Sequence, residues 1–537
     1  MRQKFLITVP ALLTMIFGTS CNEWLDVMPD NRAEIDSSEK VYKLLVSAYP
    51  DVSYAFCTEL YADNTDDFGA SNPYSDRLAE QIYSWGEVTE TGNEAPENVW
   101  EASYMAITNA NQAIVAIDEL EQQGVEGLEP ARGEALLCRA YNHFVLASIF
   151  CEGYDPDTAG DKFGIPYMEA PETELNPKYE RGTLAHVYEM IDKDLQDGLP
   201  LISDAVYSIP KYHFNQKAAY TFASRFYLFT GDWDKVIEYA SAALGSSPAE
   251  NLRDYATLAS LPRDEQVVPE QYNSTDKKNN FLVQAPYSSL GLQYGPYYAY
   301  KRHNQGNMLM QTEVLNMAPW GSYTPSTSSY NYGYMYKLRP YVYVATNLDM
   351  TMLPRNPYLF EYTDPVQQIG YYRTTIVPLT AEEALLNRAE AYIMKEDYTN
   401  ALVDINLWTS NTLNPSYCET VSLTEDSIQE WADGLEYYTA QSPTPKKHLH
   451  PLVADVEEGT KKEAFAHCIL YMRRVEFLQC GMRLFDVKRY GIEIYRRTLG
   501  TALDVVSVDD VMTVNDPRRA MQLPSDVITA GMTPNPR

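Results

Sequence analysis

The chain has 537 residues, 45% of them hydrophobic, and a formal net charge of −32. This hydrophobic fraction indicates a folded protein and not a disordered chain. A protein this acidic is repelled by phosphate backbones and anionic lipid heads, which argues against nucleic acid as a partner. Tyrosine is abundant, with 43 residues against 16 phenylalanines and 7 tryptophans. Its apolar ring and polar tip suit wet binding surfaces as well as cores.

The first 20 residues have the parts of an export signal. A positively charged start precedes a mostly apolar run over 5–17, which is too short for a membrane-spanning helix of roughly 20 residues. Small residues then lead to Cys21, as in the bacterial lipoprotein box, although that box usually has Leu where this chain has Gly18. We predict a lipoprotein signal peptide over 1–20 and lipidation of Cys21. The alternative is an ordinary signal peptide cut just before a free Cys21.

The six other cysteines are predicted to be buried free thiols. A chain of this length does not need disulfides to be stable, and a buried thiol behaves as a small hydrophobic group. The residues are Cys57, Cys138, Cys151, Cys418, Cys468 and Cys480.

Most of the chain after residue 30 has the apolar spacing of helices, and two stretches of it repeat. "EALLCRA" at 134–140 recurs as "EALLNRA" at 383–389, and residues 227–244 resemble residues 392–409. The longer pair reads as helix, tight Asp-containing turn, helix, which is typical of tetratricopeptide units that bury their faces by stacking. The fold class predicted is mainly α, with a tetratricopeptide-like helix-pair scaffold.

Two segments break the helical pattern and predict long irregular loops. Residues 61–97 are polar and turn-rich, and residues 287–343 are crowded with tyrosines between Gly, Pro, Ser and Asn, with room for a short hairpin in 330–344. Long loops in compact domains are usually functional. We predict one domain over 21–537. Its helical scaffold spans about 30–270 and 379–500, and a loop-rich ligand-face segment spans about 271–378.

The sequence has few signs of metal or cofactor binding. His448 and His450 could offer two imidazoles, but no third ligand is near them in the sequence. Asp63, Asp66 and Asp67 could bind calcium, but their spacing lacks the glycine and the closing Glu of the EF-hand loop. Solvated polar loops are favoured at both places. No cofactor is predicted, and calcium remains an unsupported alternative.

No catalytic motif occurs, and no catalytic residue is assigned. The sequence lacks a G-x-S-x-G elbow, an H-E-x-x-H helix, a phosphate-binding glycine loop and a dinucleotide fingerprint. The densest charged stretch, residues 473–491, could look like an active-site cluster. We favour two amphipathic helices with Glu and Arg tied at i, i+3 spacing, and with Gly481 ending the first helix. The protein is therefore predicted not to be an enzyme.

The aromatic loops carry the best binding signal. Sugar rings present flat C–H faces that stack on Tyr and Trp, while Asn, Arg and Asp bind the hydroxyl groups. The alternative is that these rings simply pack in the core. The predicted ligand-binding residues are Tyr74, Arg77, Tyr83 and Trp85 in the first loop region, and Tyr297, Tyr298, Trp320 and Tyr323 in the second.

A series of sequence pieces occurs in a defined order along the chain: "CNEWLDVMPDN", "ELYADN", "NVWEASYMAITNANQAI", "GEALLCRAYNHFVLASIF", "FGIPYM", "FNQKAAYTFASRFYLFTGDWDKVIEYA", "LTAEEALLNRAEAYI", "RRVEFLQCGMRLFDVKRYG" and "QLPSDVITAGMTPNPR". In their order and spacing they resemble the SusD/RagB family of outer-membrane nutrient-binding lipoproteins, almost from end to end. Where the family's late motif usually has Glu and Trp, this chain has Cys480 and Tyr490, and the first change suggests an altered helix contact.

The resemblance implies a lipid-anchored, surface-exposed protein of the outer membrane. It would sit as a lid on a SusC-like TonB-dependent transporter, capture oligosaccharide and release it into that partner without chemistry. The family's ligand-binding residues follow no fixed motif, so none is carried over. The alternatives are a RagB-like peptide binder, a surface glycosidase, and a structural subunit that binds nothing.

The lipid anchor can be tested directly on Cys21. The chain should incorporate a labelled lipid precursor in a host that processes lipoproteins, and Cys21→Ser should abolish the label because the acceptor thiol is gone. Cys57→Ser is the matched control and should keep the label. Label retained on Cys21→Ser would contradict the prediction.

Overall fold

The computed structural model describes residues 35–173, 177–264, 266–295, 301–325, 330–345, 348–500 and 504–537. The predicted signal peptide, Cys21, Tyr297 and Tyr298 lie outside the described residues. Residues Ser37–Arg537 form one compact unit.

The described part of this unit is mainly helical, as predicted from the sequence. Its α-helices are α1 (Ser38–Leu45), α2 (Ala55–Tyr61), α3 (Arg77–Tyr83), α4 (Pro96–Gln122), α5 (Glu129–Phe150), α6 (Leu184–Gly198), α7 (Gln216–Thr230), α8 (Trp233–Leu244), α9 (Pro248–Asn251), α10 (Tyr255–Ser260), α11 (Val267–Tyr272), α12 (Leu290–Tyr294), α13 (Asn307–Leu309), α14 (Ala381–Met394), α15 (Tyr398–Thr412), α16 (Glu425–Asp433), α17 (Lys461–Glu476), α18 (Arg483–Arg489) and α19 (Ser525–Thr529).

Short strands connect the helical parts in small sheets. One sheet has the order β10-β9-β1-β3, and the others are the pairs β2-β8, β4-β5 and β6-β7. The strands are β1 (Asp66–Asp67), β2 (Asn280–Gln284), β3 (His303–Asn304), β4 (Tyr341–Ala345), β5 (Leu348–Met352), β6 (Leu359–Asp364), β7 (Ile369–Arg373), β8 (Ile376–Thr380), β9 (Ile494–Leu499) and β10 (Val505–Met512).

The predicted helix pairs are α7–α8 and α14–α15. Gly231 ends α7 in the left-handed region at φ 78°, which a residue without a side chain adopts at little cost. Ala243 and Ala401 are fully buried, and such small side chains let neighbouring helices approach closely. Helix α14 packs against both α7 and α8, so the two pairs stack into one scaffold.

The arginine of the repeated heptapeptide makes an equivalent ion pair in both copies. In the first copy, Arg139 of α5 forms two hydrogen bonds of 2.6 Å with the Asp194 carboxylate of α6. In the second copy, Arg388 of α14 forms the same paired contact with Asp404 of α15, at 2.8 and 2.7 Å. Each copy therefore ties its helix to a later one by a two-point ion pair, the strongest geometry for these groups.

The predicted loop segments contain more regular structure than expected. Helix α3 interrupts the segment 61–97, and Asp76 caps it by accepting a hydrogen bond from the Ala79 N–H. A hairpin was expected within 330–344. The observed hairpin starts only at β4, near the end of that range, and its second strand is β5, which lies beyond it. A second hairpin, β6–β7, was not predicted.

A cluster of buried charges joins the end of α2 to the C-terminal helices. The Arg483 guanidinium donates to both Asp63 carboxylate oxygens at 2.7 and 2.8 Å, and Arg474 Nη2 lies 3.5 Å from the same group. Lys447 donates to Glu313 at 2.7 Å, and its Nζ lies 3.9 Å from Asp63. Burial opposes the charge of Asp63, but Arg474 and Arg483 outweigh it and hold the pKa of the carboxyl well below its usual range.

The other two aspartates weighed as calcium ligands are also paired with arginines. Arg497 donates to Asp66 at 2.7 Å, and Arg302 donates to Asp67 at 2.6 Å. Asp63 is likewise paired with Arg483. All three carboxylates that a calcium ion would need are therefore paired with guanidinium groups. The arrangement is an internal ion-pair network, and not the solvated loop favoured from the sequence, because all three aspartates are buried.

The charged stretch 473–491 is also buried and paired, in place of an exposed amphipathic surface. Arg473 donates to Asp486 at 3.0 Å, and Arg489 donates to the same residue at 2.7 Å with i, i+3 spacing. Helix α17 ends well before Gly481, which was expected to end it. Gly481 instead allows a close approach, because a Cβ there would lie 2.3 Å from Thr58 Oγ1.

The two histidines of "HLH" lie in an irregular segment. His448 Nδ1 lies 2.6 Å from a Glu458 carboxylate oxygen, and its ring stacks on Tyr437 at 4.3 Å. The backbone N–H of His450 donates to the Tyr490 carbonyl at 2.7 Å. The His448 ring is thus held by Glu458 and Tyr437.

The described cysteines are all free thiols; Cys418 and Cys480 are half-buried and the other four are buried. Among the described helices, none combines the length and the apolar character needed to cross a bilayer.

We predict that Asp63→Asn lowers the free energy of unfolding by about 3–5 kcal/mol, because it leaves the buried Arg474 and Arg483 without enough negative charge. Urea unfolding at pH 7 measures this. Asp118→Asn, which alters an exposed ion pair with Arg132, is the control and should change stability by less than about 1 kcal/mol.

The effect of Asp63→Asn should depend on pH with a defined sign. A carboxyl whose folded pKa is lowered stabilises the fold above its unfolded pKa, near 4, and loses that contribution as pH falls toward the folded pKa. The stability difference between wild type and variant should therefore be constant above about pH 5 and shrink below about pH 4. A difference that grows on acidification would contradict the assignment.

Candidate functional site

A short strand pair brings the two predicted loop regions together. Strand β1 pairs antiparallel with β3, with Asp67 opposite His303. The Arg302 guanidinium donates to both Asp67 carboxylate oxygens at 2.7 and 2.6 Å, and the Arg302 N–H donates to the Tyr74 carbonyl at 3.3 Å. The segment around Tyr74 is thus fixed to residues 301–304, which lie within the tyrosine-rich segment 287–343.

Glu94 makes the second connection between these regions. Its carboxylate accepts hydrogen bonds from Ser288 Oγ at 2.8 Å and from the Ser289 N–H at 2.6 Å. Burial raises the pKa of Glu94, and these hydrogen bonds partly offset the rise. Burial also lowers the pKa of the Lys301 ammonium to about 8, against the opposing charges of Asp76 and Glu94.

The unpredicted hairpin β6–β7 continues this surface. The Ser288 N–H donates to the Tyr372 carbonyl at 3.0 Å, and Tyr287 lies edge-on to Tyr371 with ring centroids 5.6 Å apart. Arg373 lies 3.7 Å from the centroid of the Tyr287 ring, a cation–π contact. Tyr371 and Tyr372 remain 55% and 39% exposed, so large parts of their rings are open to a ligand.

A glycine lets the base of the hairpin lie close to α12. A Cβ at Gly291 would lie 2.2 Å from the Pro357 carbonyl oxygen, so any other residue would push the two segments apart. Two sets of contacts therefore connect the loop regions: Arg302 holds the segment around Tyr74, and Glu94 holds residues 288–289, which contact the hairpin. We call this region the aromatic face and define it by Tyr74, Tyr287, Lys301, Tyr371 and Tyr372. Tyr371 and Tyr372 are neighbours in β7 and point to opposite sides of the hairpin, Tyr371 toward Tyr287 and Tyr372 toward Phe360.

Of the predicted binding residues, Tyr74 and Arg77 are exposed. Tyr74 is 47% exposed at one end of the aromatic face. Arg77 Nε lies 3.3 Å from a Glu90 carboxylate oxygen, in an exposed ion pair at the start of α3. Both side chains can be reached by a ligand.

Tyr83 and Trp85 are buried. The Tyr83 hydroxyl donates to the Arg497 carbonyl at 3.0 Å, and Trp85 Nε1 donates to the Tyr61 carbonyl at 3.2 Å. The Arg496 guanidinium lies 4.1 Å from the Trp85 ring centroid. Their rings are committed to internal contacts and are not open platforms for a sugar.

Trp85 does contribute to the wall of a cleft of about 320 Å³. The cleft lies between the segment 85–97 and the C-terminal residues 521–537, with Ile82 and Leu523 among its apolar wall residues. At its edge, carboxylate oxygens of Glu97, Glu101 and Asp526 lie within 4.8 Å of one another, a group that could hold a metal ion. Acids at half-buried or exposed positions often cluster without an ion, so no metal is assigned.

Trp320 and Tyr323 lie in a different aromatic cluster. Trp320 is fully buried, with its ring centroid 5.5 Å from that of Trp408 and 5.3 Å from that of Tyr471. Tyr323 is half-buried, and its hydroxyl donates to the Tyr417 carbonyl at 3.1 Å. The eight predicted residues therefore do not form one site: four lie near β1 and α3, two lie here, and Tyr297 and Tyr298 are outside the described residues.

Sequence reasoning missed Tyr287, Tyr371 and Tyr372 as binding candidates. The paired tyrosines in "IGYYR" between two runs of β-forming residues were a signal for a hairpin, because Tyr, Phe and Ile favour strands. The burial of Trp320 and Trp85 had no comparable signal, since tryptophan suits both cores and binding surfaces.

Part of the chain matches a known family model. Residues 23–228 match the SusD-like family model described as "Starch-binding associating with outer membrane". Among curated proteins, none matches this sequence significantly.

Solved structures of similar fold cover nearly all of the chain. A candidate sugar binding protein from Bacteroides vulgatus is 17% identical, with a TM-score of 0.63 over 94% of this chain and 99% of its own. A SusD superfamily protein from Bacteroides thetaiotaomicron is 18% identical, with a TM-score of 0.59 over 94% and 100%. A SusD-like carbohydrate binding protein from Bacteroides vulgatus is 15% identical, with a TM-score of 0.56 over 92% and 96%. At such identities the likeness shows a common fold.

The family match over 23–228, the common fold over more than nine-tenths of the chain and the ordered motifs agree with one another. Residues 23–228 thus match the SusD-like family model, and nearly the whole chain shares its fold with solved SusD superfamily proteins.

Proposed function

We propose that the protein is a non-catalytic, surface-exposed lipoprotein that binds oligosaccharide or polysaccharide and delivers it to a SusC-like TonB-dependent transporter in the outer membrane. The description of the matched family as starch-binding and associating with the outer membrane supports the ligand class and the location. The observation that carries a specific site is the exposure of Tyr74, Tyr371 and Tyr372 in segments that the contacts of Arg302 and Glu94 connect.

The aromatic face has the chemistry that a sugar chain requires. Exposed tyrosine rings offer apolar planes for the C–H faces of sugar rings, and their hydroxyl groups can exchange hydrogen bonds with sugar hydroxyls. The Arg302 backbone N–H donates to the Tyr74 carbonyl, which brings the neighbouring Lys301 near Tyr74 as a cation in an otherwise acidic protein, while Asp67 holds the Arg302 guanidinium. A surface that extends from Tyr74 to the hairpin suits an extended chain better than a single sugar unit.

The rest of the molecule supports a binding role by keeping this surface in one arrangement. Arg302 fixes the Tyr74 segment through Asp67, and Glu94 fixes residues 288–289. Preorganised binding groups lose less conformational entropy when the ligand arrives. In the proposed mechanism the polysaccharide stacks along the tyrosines and is then released to the transporter, with no bond made or broken.

We predict that replacing both Tyr371 and Tyr372 by Ala weakens polysaccharide binding about ten-fold, because each ring contributes roughly 0.5–1.5 kcal/mol of stacking beyond simple burial. Affinity electrophoresis in gels with starch and with other neutral polysaccharides measures the retardation. Tyr417→Ala is the matched control, since Tyr417 is 45% exposed but stacks on Tyr334 away from this surface.

The same measurements separate the other functions. Retardation by no polysaccharide, together with binding of peptides, would make the protein a RagB-like peptide binder. Release of reducing sugar that disappears on changing one carboxylate would make it a glycosidase. Equal retardation of the double variant and of wild type would place the binding site elsewhere than the aromatic face.

A further inference from the structure

A second cavity lies inside the helical scaffold, behind the hairpin β6–β7. It has a volume of about 80 Å³, and its wall includes Arg225 of α7, Arg253 after α9, and Arg355 just before β6. The half-buried Val52, Gln284 and Ile376 form part of the same wall and bring the cavity closest to the surface. Three arginines around one small cavity are unusual, because each buried guanidinium needs compensation.

Each of the three arginines has one buried guanidinium nitrogen without a hydrogen-bond partner among the described residues. Arg225 donates through Nη2 to Glu383 at 2.6 Å, but its Nη1 has no hydrogen-bond partner within the described ranges. Arg253 donates through Nη1 to the Tyr272 carbonyl at 2.6 Å, and Arg355 donates through Nη1 to the Leu478 carbonyl at 3.1 Å. Their Nε groups likewise have no partner among the residues that the structure describes.

Gln284 adds a fourth group of the same kind. Its side-chain nitrogen is buried and has no partner in the described part of the chain. All the unpaired buried side-chain atoms on the wall of this cavity are therefore N–H donors, and none is an acceptor. An unpaired buried donor costs about 1–3 kcal/mol, so four on one wall indicate that something accepts from them.

The charge of the cavity wall also favours an occupant that accepts hydrogen bonds. Two carboxylates, Glu383 and Glu476, line the cavity with the three arginines. Burial and the neighbouring Glu382 raise the pKa of the Glu476 carboxyl, which reduces its negative charge near neutral pH. The Glu382 carboxylate accepts hydrogen bonds from the Arg253 backbone N–H at 2.6 Å and from the Asn279 side chain. The wall thus carries more positive than negative charge.

The size and the donors together define the occupant. A cavity near 150 Å³ holds benzene, so about 80 Å³ suits a species of three or four heavy atoms. A water molecule would accept from these donors but would bring two O–H groups that also need acceptors. An anion brings acceptors only, and a planar oxyanion matches guanidinium donors in geometry.

We propose that this cavity is a binding site for a small oxyanion, of the size of formate, acetate or bicarbonate, held by Arg225, Arg253, Arg355 and Gln284. The anion joins Arg355, at the base of the hairpin, to two arginines of the helical scaffold. The site lies apart from the aromatic face and does not depend on what that surface binds.

Crystals of the mature chain soaked in sodium bromide, and in sodium formate, test the site directly. We expect an anomalous bromide peak in the cavity, and formate density within hydrogen-bonding distance of the arginines. In solution, formate should raise the midpoint of thermal unfolding by about 1–2 °C in a saturable way, relative to sodium gluconate at equal ionic strength, because gluconate is too large for the cavity. Ordered water alone in both crystals, with equal effects of formate and gluconate, would overturn the proposal.

Two variants locate the effect without removing an arginine. Ser103 of α4 is buried in the cavity wall, and Ser103→Met should fill the cavity and abolish the difference between formate and gluconate while the protein still folds. Gln284→Met removes one donor and should raise the half-saturating formate concentration several-fold. Ser410→Met, at an exposed position of α15, should behave as wild type. A formate effect that survives Ser103→Met unchanged would show that the anion binds elsewhere.

Discussion

The buried pairing of Asp63 with Arg483 and Arg474 is the contact on which the surface of this protein depends. It fixes the end of α2 to the helices α17 and α18, more than 400 residues later in the chain. Strand β1 follows directly, and through β3 it carries the segment around Tyr74. A buried charge is costly unless it is matched, so this network tolerates few arrangements. The position of the two loop segments is thereby determined by contacts in the interior.

The helical scaffold could be predicted from the sequence because its signals are local. The repeated heptapeptide places Arg139 and Arg388 at equivalent positions, and each finds an Asp on a later helix. Gly231 ends α7 where a left-handed residue is needed. Helical spacing, a capping glycine and a repeated motif are all contained within short stretches, so no tertiary information was required.

The site could be predicted only in outline. The two loop regions do meet, yet Trp320 packs between Trp408 and Tyr471, and nothing in its local sequence distinguishes a core tryptophan from an exposed one. The three aspartates near residue 65 looked like a solvated loop because the arginines that bury them come from distant parts of the chain. Burial and ion pairing over hundreds of residues are properties of the tertiary structure and leave little local trace.

The hairpin β6–β7 has a further consequence for how such a protein can change. It is attached at its base, where Gly291 admits Pro357, and most of its length lies outside the buried ion pairs. Substitutions along it alter exposed rings without disturbing the scaffold. The exposed rings of the hairpin and the buried contacts of the scaffold thus involve largely separate residues, so this one short segment can be exchanged while the architecture persists.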